Sequence, residues 1–215
     1  MPAPQLHLKI LDRKRRALLP KLAFLKKRGF YLAGGTALAL QIGHRTSVDF
    51  DYYCPNDFDA DELYQSIQKH CATVSPSKTS TQSLFVKIAG VEFSFFVYRY
   101  PLLQPLVDTE YIALTSIDDI AAMKLLAIMQ RGKKRDFIDL YFILKTHTMK
   151  QIFDLCQKKF DGFDSYIAVQ GLLYFADADH DQSRKRISLL QPVSWIVVKK
   201  KIIAETVKMR NELKL

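Results

Sequence analysis

The apolar and polar positions divide this 215-residue chain into a front part of short apolar runs and a back part with helical spacing. Phe30 to Ala33 is a brief apolar run that stops at Gly34 and Gly35, which predicts a buried strand. Thr36 to Ile42 is apolar and rich in helix formers, and Gly43 is placed to end it. Val48 to Tyr53 then alternates Val, Phe and Tyr with Asp. A period of two sends Asp49 and Asp51 to the same face. Upstream, Leu18, Leu19, Leu22 and Leu25 have helical spacing up to Gly29, with Pro20 in the first turn or at a kink.

Asp57 to His70 predicts a further helix, capped by Asp59 or Asp61, with Leu63, Tyr64 and Ile67 on its apolar face. Thr73 to Ser83 reads as a loop or a ragged strand. Leu84 to Ala89 and Val91 to Tyr100 form a hairpin pattern around Gly90, ended by Pro101 and Pro105. The first 112 residues are therefore expected to form a small α/β domain with a mixed sheet of roughly four strands. From residue 113 to 215 the pattern is helical throughout, and a helical bundle that completes an active-site cleft is expected. Thr115 and Ser116 offer a hydroxyl cap, with Asp118 and Asp119 in the first turn. Gly132 interrupts that helix, Arg135 to Lys145 continues, and Gln151–Lys159, Ser165–Phe175 and Ser194–Glu212 complete the set. Trp195 is expected to be a packing anchor.

Composition narrows the partners. The net charge is +10, but it is unevenly placed: residues 1–28 carry +8, residues 184–215 carry +7, and the stretch between carries −5. Basic ends around an acidic middle suit a polyanion such as RNA, while solvated amphipathic helices would give the same count. No apolar run approaches membrane-spanning length, and no secretory signal core is present, so a cytoplasmic location is expected. Cys54, Cys71 and Cys156 are odd in number and lack C-x-x-C spacing, which argues against a disulfide framework or a zinc knuckle.

The chemistry centres on two neighbouring motifs. Gly34, Gly35 and Thr36 precede a helix, where backbone N–H groups and the helix dipole suit an anion. Asp49 and Asp51 side by side repel each other unless a cation or water reaches them, and hard oxygen ligands suit Mg²⁺ bridged to phosphates. A phosphate cradle ahead of a carboxylate pair is a minimal kit for nucleotidyl transfer from an NTP. Taken singly, each motif reads equally well as a tight turn or a solvated strand face. Arg45 offers its guanidinium to a phosphate, or to Asp139 or Glu92. His44 reads as a helix C-cap in preference to a general base.

Gly34-Gly35-Thr36-Ala37-Leu38, followed by His44-Arg45-Thr46-Ser47-Val48-Asp49-Phe50-Asp51, resembles the AbiEii/AbiGii-like (MenT-like) nucleotidyltransferase toxins of the polymerase-β-type superfamily. A second block agrees in order and spacing: Asp119 to Lys124, then Arg131 to Tyr141. The resemblance implies that Ser47 belongs to the site and that Lys124 meets the nucleotide's phosphates. It also implies that Asp136 orients Lys124 or substrate, with Asp139 beside it. A third metal-binding carboxylate is usual on a later strand of this superfamily. Here the corresponding inner positions are Ser94 or Phe96, with Glu92 one pleat early.

The expectation is an Mg²⁺-dependent enzyme that moves a nucleoside monophosphate from an NTP to RNA. The family's precedent points to tRNA and to a toxin countered by an antitoxin. The alternatives are a non-catalytic nucleotide- or RNA-binding module and transfer to a protein hydroxyl. No helix-turn-helix pattern supports a transcription factor, and the acidic pair opposes DNA at that spot.

Overall fold

The computed structural model describes residues 5–80, 82–181 and 188–213. Arg184, Lys185, Arg186 and Lys214 of the basic C-terminal stretch lie outside the described residues. The chain divides into two units: Met1–Pro101 with Pro105–Thr115, and Leu102–Gln104 with Ser116–Leu215.

Among the described residues the first unit is built on a seven-stranded sheet in the order β3-β4-β5-β2-β1-β7-β6. Its strands are β1 Tyr31–Leu32, β2 Phe50–Cys54, β3 Val74–Ser80, β4 Ser83–Ile88, β5 Val91–Val97, β6 Val107–Asp108 and β7 Ala113–Leu114. The expected four strands are thus an undercount. β6 and β7 are two residues each, too short for a period to register; β7 pairs in parallel with β1, and β6 pairs antiparallel with β7. The ragged stretch after Thr73 is the edge strand β3. Its ladder with β4 shifts register between Pro76 and Lys78, and an edge strand tolerates a proline because one side of it donates to no neighbour.

The strands of the sheet centre bury one face. Phe50, Tyr52, Phe93, Phe95, Leu84, Val86 and Ile88 are all at most 1% exposed. The helices of this unit are α1 Arg13–Leu18, α2 Phe24–Lys27, α3 Gly34–Ile42 and α4 Ala60–His70. Asp59 caps α4 by accepting from the N–H groups of Asp61 and Glu62, and Leu63 and Ile67 of α4 are fully buried where it packs on β3 and β4. The single helix expected up to Gly29 is instead two short helices joined by a 3₁₀ turn at Pro20–Leu22, with another 3₁₀ turn at Leu8–Ile10. Proline at position 20 cannot donate to the preceding turn, so it starts a new one.

The second unit is helical: α5 Ile117–Arg131, α6 Lys134–Ile143, α7 Met149–Lys159, α8 Ser165–Leu173, α9 Ala176–His180 and α10 Trp195–Leu213. Ser116 caps α5 through the N–H of Asp119, Gly132 closes it, and Thr148 with Gln151 forms a capping box on α7. α5 is the central helix, packed by α6, α7 and α8. Trp195 meets the rings of Phe137 and Phe175 at 6.0 Å and donates its indole N–H to Asp179, so it is the packing anchor expected. The three cysteines are free and buried. No helix among the described residues is long and apolar enough to cross a membrane.

Candidate active site

The strand–turn–helix from Tyr31 to Ile42 sets one wall of the candidate site. Gly34 has φ +65°, a left-handed backbone that side chains disfavour, and it opens α3 directly after β1. Ala33, the residue that precedes the helix, has no side chain to cap α3, and a helix N-terminus of this kind suits an anion. Gly43 ends α3 in the same left-handed conformation, with its N–H on the carbonyl of Ala39. The cap expected of His44 is therefore supplied by Gly43, and His44 itself is fully buried.

β2 runs antiparallel beside β1 and brings the acidic pair to this turn. Tyr31 pairs with Tyr53 and Leu32 with Tyr52, and the Ala33 N–H donates to the Asp51 carbonyl at 3.0 Å. The strand alternates between buried Phe50, Tyr52 and Cys54 and half-buried Asp51 and Tyr53. Asp49, one residue ahead of the strand, is half-buried as well. The Asp51 carboxylate reaches back over the turn. A Cβ placed on Gly34 would lie 3.6 Å from Asp51 Oδ2.

Thr36 ties the same two segments together from beneath. Its Oγ1 donates to the backbone carbonyl of Asp49 and lies 2.5 Å from Ser47 Oγ. A threonine hydroxyl has a single proton, so with that proton on Asp49 it accepts from Ser47. Thr36 and Ser47 are both buried, and their role is to fix the approach to Asp49. Arg15 of α1 adds a further tether, donating from Nε to the Val48 carbonyl at 2.8 Å. Arg45 is buried, and one of its contacts is a 3.0 Å bond from Nη1 to the Thr46 carbonyl.

The position beside Asp51 on the neighbouring strand is Ser94. β2 and β5 run parallel with Asp51 opposite Ser94 and Tyr53 opposite Phe96. Glu92 is one pleat away and faces Lys87 of β4, at 3.7 Å. Among the described residues no group of three or more His, Cys, Asp or Glu could hold a metal. The donors present are two half-buried carboxylates. Such a pair fits a small hard cation that takes the rest of its ligands from phosphates and water, and it does not fit a site enclosed by protein alone.

In the second unit, Lys124 of α5 is held between two carboxylates of α6. Its ammonium is 2.8 Å from Asp136 and 2.6 Å from Asp139, and both acids are fully buried. The spacing of three on α6 is what lets both reach one cation. Arg131 adds a contact to Asp136 at 3.3 Å. Burial, the largest influence on Asp136, pushes its pKa up. The charges of Lys124 and Arg131 and the Lys124 hydrogen bond together outweigh it and hold the carboxyl below its usual range.

A second buried ion pair escaped the sequence reading. Lys159 Nζ lies 2.7 Å from Asp119 Oδ1, and both side chains are fully buried. Asp119 also accepts from Ser116 and from the backbone of Leu103 and Gln104. The signal was faint: Lys159 closes an amphipathic helix, where a basic residue is ordinary.

A glycine turn opening a helix thus stands beside two acids, Asp51 on the adjacent strand of a mixed sheet and Asp49 one residue ahead of that strand. Residues 18–189 match the model of the family described as nucleotidyl transferase AbiEii toxin, type IV toxin–antitoxin system, and the chain belongs to that family. A relative in Aquifex aeolicus (strain VF5), an uncharacterized protein, is 40% identical over 175 residues, which cover 78% of this chain and 84% of the relative. Among solved structures, a Helicobacter pylori protein assigned provisionally as a nucleotidyltransferase superposes with a TM-score of 0.61 at 17% identity, covering 95% of this chain and 98% of that one. MenT4, a nucleotidyltransferase toxin of Mycobacterium tuberculosis H37Rv, superposes with a TM-score of 0.57 at 17% identity, covering 89% and 82%. At these identities the superpositions speak for the fold, and family membership makes the protein a nucleotidyltransferase toxin.

Proposed function

We propose that this toxin transfers a nucleoside monophosphate from an NTP to RNA, with tRNA as the acceptor, in a reaction that uses Mg²⁺. The observation that carries the reading is the juxtaposition of Gly34 and Asp51, with Thr36 bonded to the backbone of Asp49. In this reading the N–H groups that open α3 meet a triphosphate, and the neighbouring acids Asp49 and Asp51 meet the cation that accompanies it. The charge of +10, concentrated toward the two ends of the chain, favours a polyanionic acceptor.

Gly34, Gly35 and Thr36 bind the phosphates through backbone N–H groups. Asp49 and Asp51 would hold Mg²⁺, which when bound neutralises charge on the phosphates and lowers the pKa of the attacking hydroxyl. The acceptor hydroxyl oxygen forms a bond to the α-phosphorus as the bond from that phosphorus to the β-phosphate oxygen breaks. Pyrophosphate leaves, and the hydroxyl proton passes to solvent. Ser47 and Thr36 keep the Asp49 backbone in place, and Arg45 braces the loop that carries Ser47. For Lys124 and Asp136 the support is the family and their own buried ion pair. The type IV family suggests an antitoxin partner.

The test is a labelling assay with purified protein, Mg²⁺, each α-labelled NTP in turn and total tRNA. Labelled RNA is expected, and Asp49→Asn abolishes it. Label on protein with none on RNA, or no transfer with any NTP, overturns the reading.

A further inference from the structure

A row of aromatic rings starts two residues beyond Asp51 on the same face of the sheet. Tyr53 follows Asp51 on β2, Phe96 is its register partner on β5, and Phe85 shares the face because it pairs with Ser94, itself opposite Asp51. Tyr98 extends the ladder by donating its N–H to the Cys54 carbonyl at 2.8 Å, and Tyr100 follows it. The ring centroids step along at 5.4 Å from Phe85 to Phe96, 5.5 Å to Tyr53, 5.0 Å to Tyr98 and 5.1 Å to Tyr100.

Tyr31 of β1, the register partner of Tyr53, is buried and stacks on it at 6.4 Å, and from Tyr53 outward the rings leave the core. The aromatics of the opposite face, Phe50, Tyr52, Phe93 and Phe95, are at most 1% exposed. Phe85, Phe96, Tyr53 and Tyr98 are half-buried, and Tyr100 is 47% exposed. A sheet face that presents aromatics toward solvent is suited to unpaired nucleobases, since every base has a π-face to stack. At a rise of about 3.4 Å per residue, Tyr53 lies about 7 Å along the strand from Asp51, and the later rings lie farther on. One nucleotide base would occupy one such position, so a row of this length matches several successive bases. Bases within a duplex already stack on one another and have no use for it.

We infer that Tyr53, Phe85, Phe96, Tyr98 and Tyr100 form a stacking platform for the unpaired bases of a single-stranded RNA end, laid so that its terminal hydroxyl approaches Asp49 and Asp51. The inference rests on the reading of those acids as the centre of transfer to RNA. It adds to that reading the side chains that receive the acceptor.

The test measures binding without NTP or Mg²⁺, by fluorescence anisotropy of the full chain with a short labelled RNA, either single-stranded or annealed into a blunt duplex. The single strand binds more tightly. Tyr98→Ala and Tyr100→Ala each weaken that binding at least about fivefold, while Tyr98→Phe and Tyr100→Phe keep it. Equal binding of the blunt duplex overturns the platform, as does wild-type affinity in the alanine variants at an unchanged melting temperature. Should Tyr98→Ala melt lower, Tyr100→Ala at the exposed end of the row carries the test alone. Asp49-dependent labelling of RNA that is indifferent to both alanine changes overturns the platform and leaves the transfer reaction standing. Stacking-dependent binding with no labelling of RNA overturns the transfer reading and leaves the platform as a binding site.

Discussion

Gly34 and Asp51 face each other across the turn from β1 into α3, with Asp51 Oδ2 3.6 Å from where a Cβ on Gly34 would stand. That contact is ordinary van der Waals distance, so alanine at position 34 meets no clash. Its difficulty is the backbone, which at φ +65° suits glycine and disfavours every L side chain. Gly34→Ala is expected to cost about 1–2 kcal/mol of stability. It also sets a methyl group beside the carboxylate that the cation needs. A lower melting temperature, together with weaker NTP binding by calorimetry, checks both parts. An unchanged melting temperature rules out the backbone argument.

Thr36→Val keeps the shape of the side chain and removes the hydroxyl that bonds to Asp49 and Ser47. The Asp49 carbonyl and the Ser47 hydroxyl lose a partner in a buried setting, at an expected cost of about 1–3 kcal/mol. Urea unfolding measures that loss. Transfer activity should fall further than Ser47→Ala makes it fall, because Thr36 bonds directly to the backbone of Asp49.

Lys124→Met leaves Asp136 and Asp139 buried without the cation that both contact. Breaking a buried pair in this way typically costs about 3–5 kcal/mol. The variant should unfold at markedly lower urea, and Lys124→Met combined with Asp136→Asn and Asp139→Asn should recover part of the loss. Failure of the triple variant to recover any stability argues that packing, and not charge, is what Lys124 supplies.

Asp136 also gives the protein an acid limit. Its folded pKa lies below the ordinary value of 3.8, so the unfolded chain takes up the proton first. The stabilisation is fully present above 3.8 and is lost as the pH falls through the depressed folded value. Asp136→Asn should flatten the dependence of stability on pH in that acid range, as read from melting temperature against pH. Equal slopes for the variant and the wild type contradict the assignment.

Tyr52 carries a hydroxyl buried on the core face of β2 with no hydrogen-bond partner among the described residues, and burial raises its pKa. The ring is held by Phe93 and Phe95, and phenylalanine would keep those contacts. Tyr52→Phe is therefore expected to leave stability unchanged or to raise it by about 1–2 kcal/mol. Thermal melting decides, and a clear loss would reveal a hydrogen bond to the hydroxyl.

Local signals in the chain carried the centre of the fold. The apolar run before Gly34, the helix formers up to Gly43 and the alternation around Asp49 each stand in a window of a few residues and depend on backbone geometry alone. The caps at Asp59 and Ser116 were legible for the same reason, since a cap bonds to groups two or three residues away. β6 and β7 were not legible, because two-residue strands have no period and β7 is set by its pairing with the distant β1. Lys159 was missed because its partner Asp119 lies on another helix, and a sequence does not display which lysine will be enclosed.

A period of two is a property of the extended backbone, so the residues by themselves determined that Asp51 shares the half-buried face of its strand with Tyr53 and that a glycine turn precedes them. What stands beside Asp49 and Asp51 was decided by tertiary structure. Ser94 faces Asp51 where a further carboxylate was sought, Thr36 grips the Asp49 backbone, and a row of half-exposed rings continues the face. Strand register is settled by the packing of the whole sheet, and slipping β5 by one residue would have turned every one of its side chains to the opposite face.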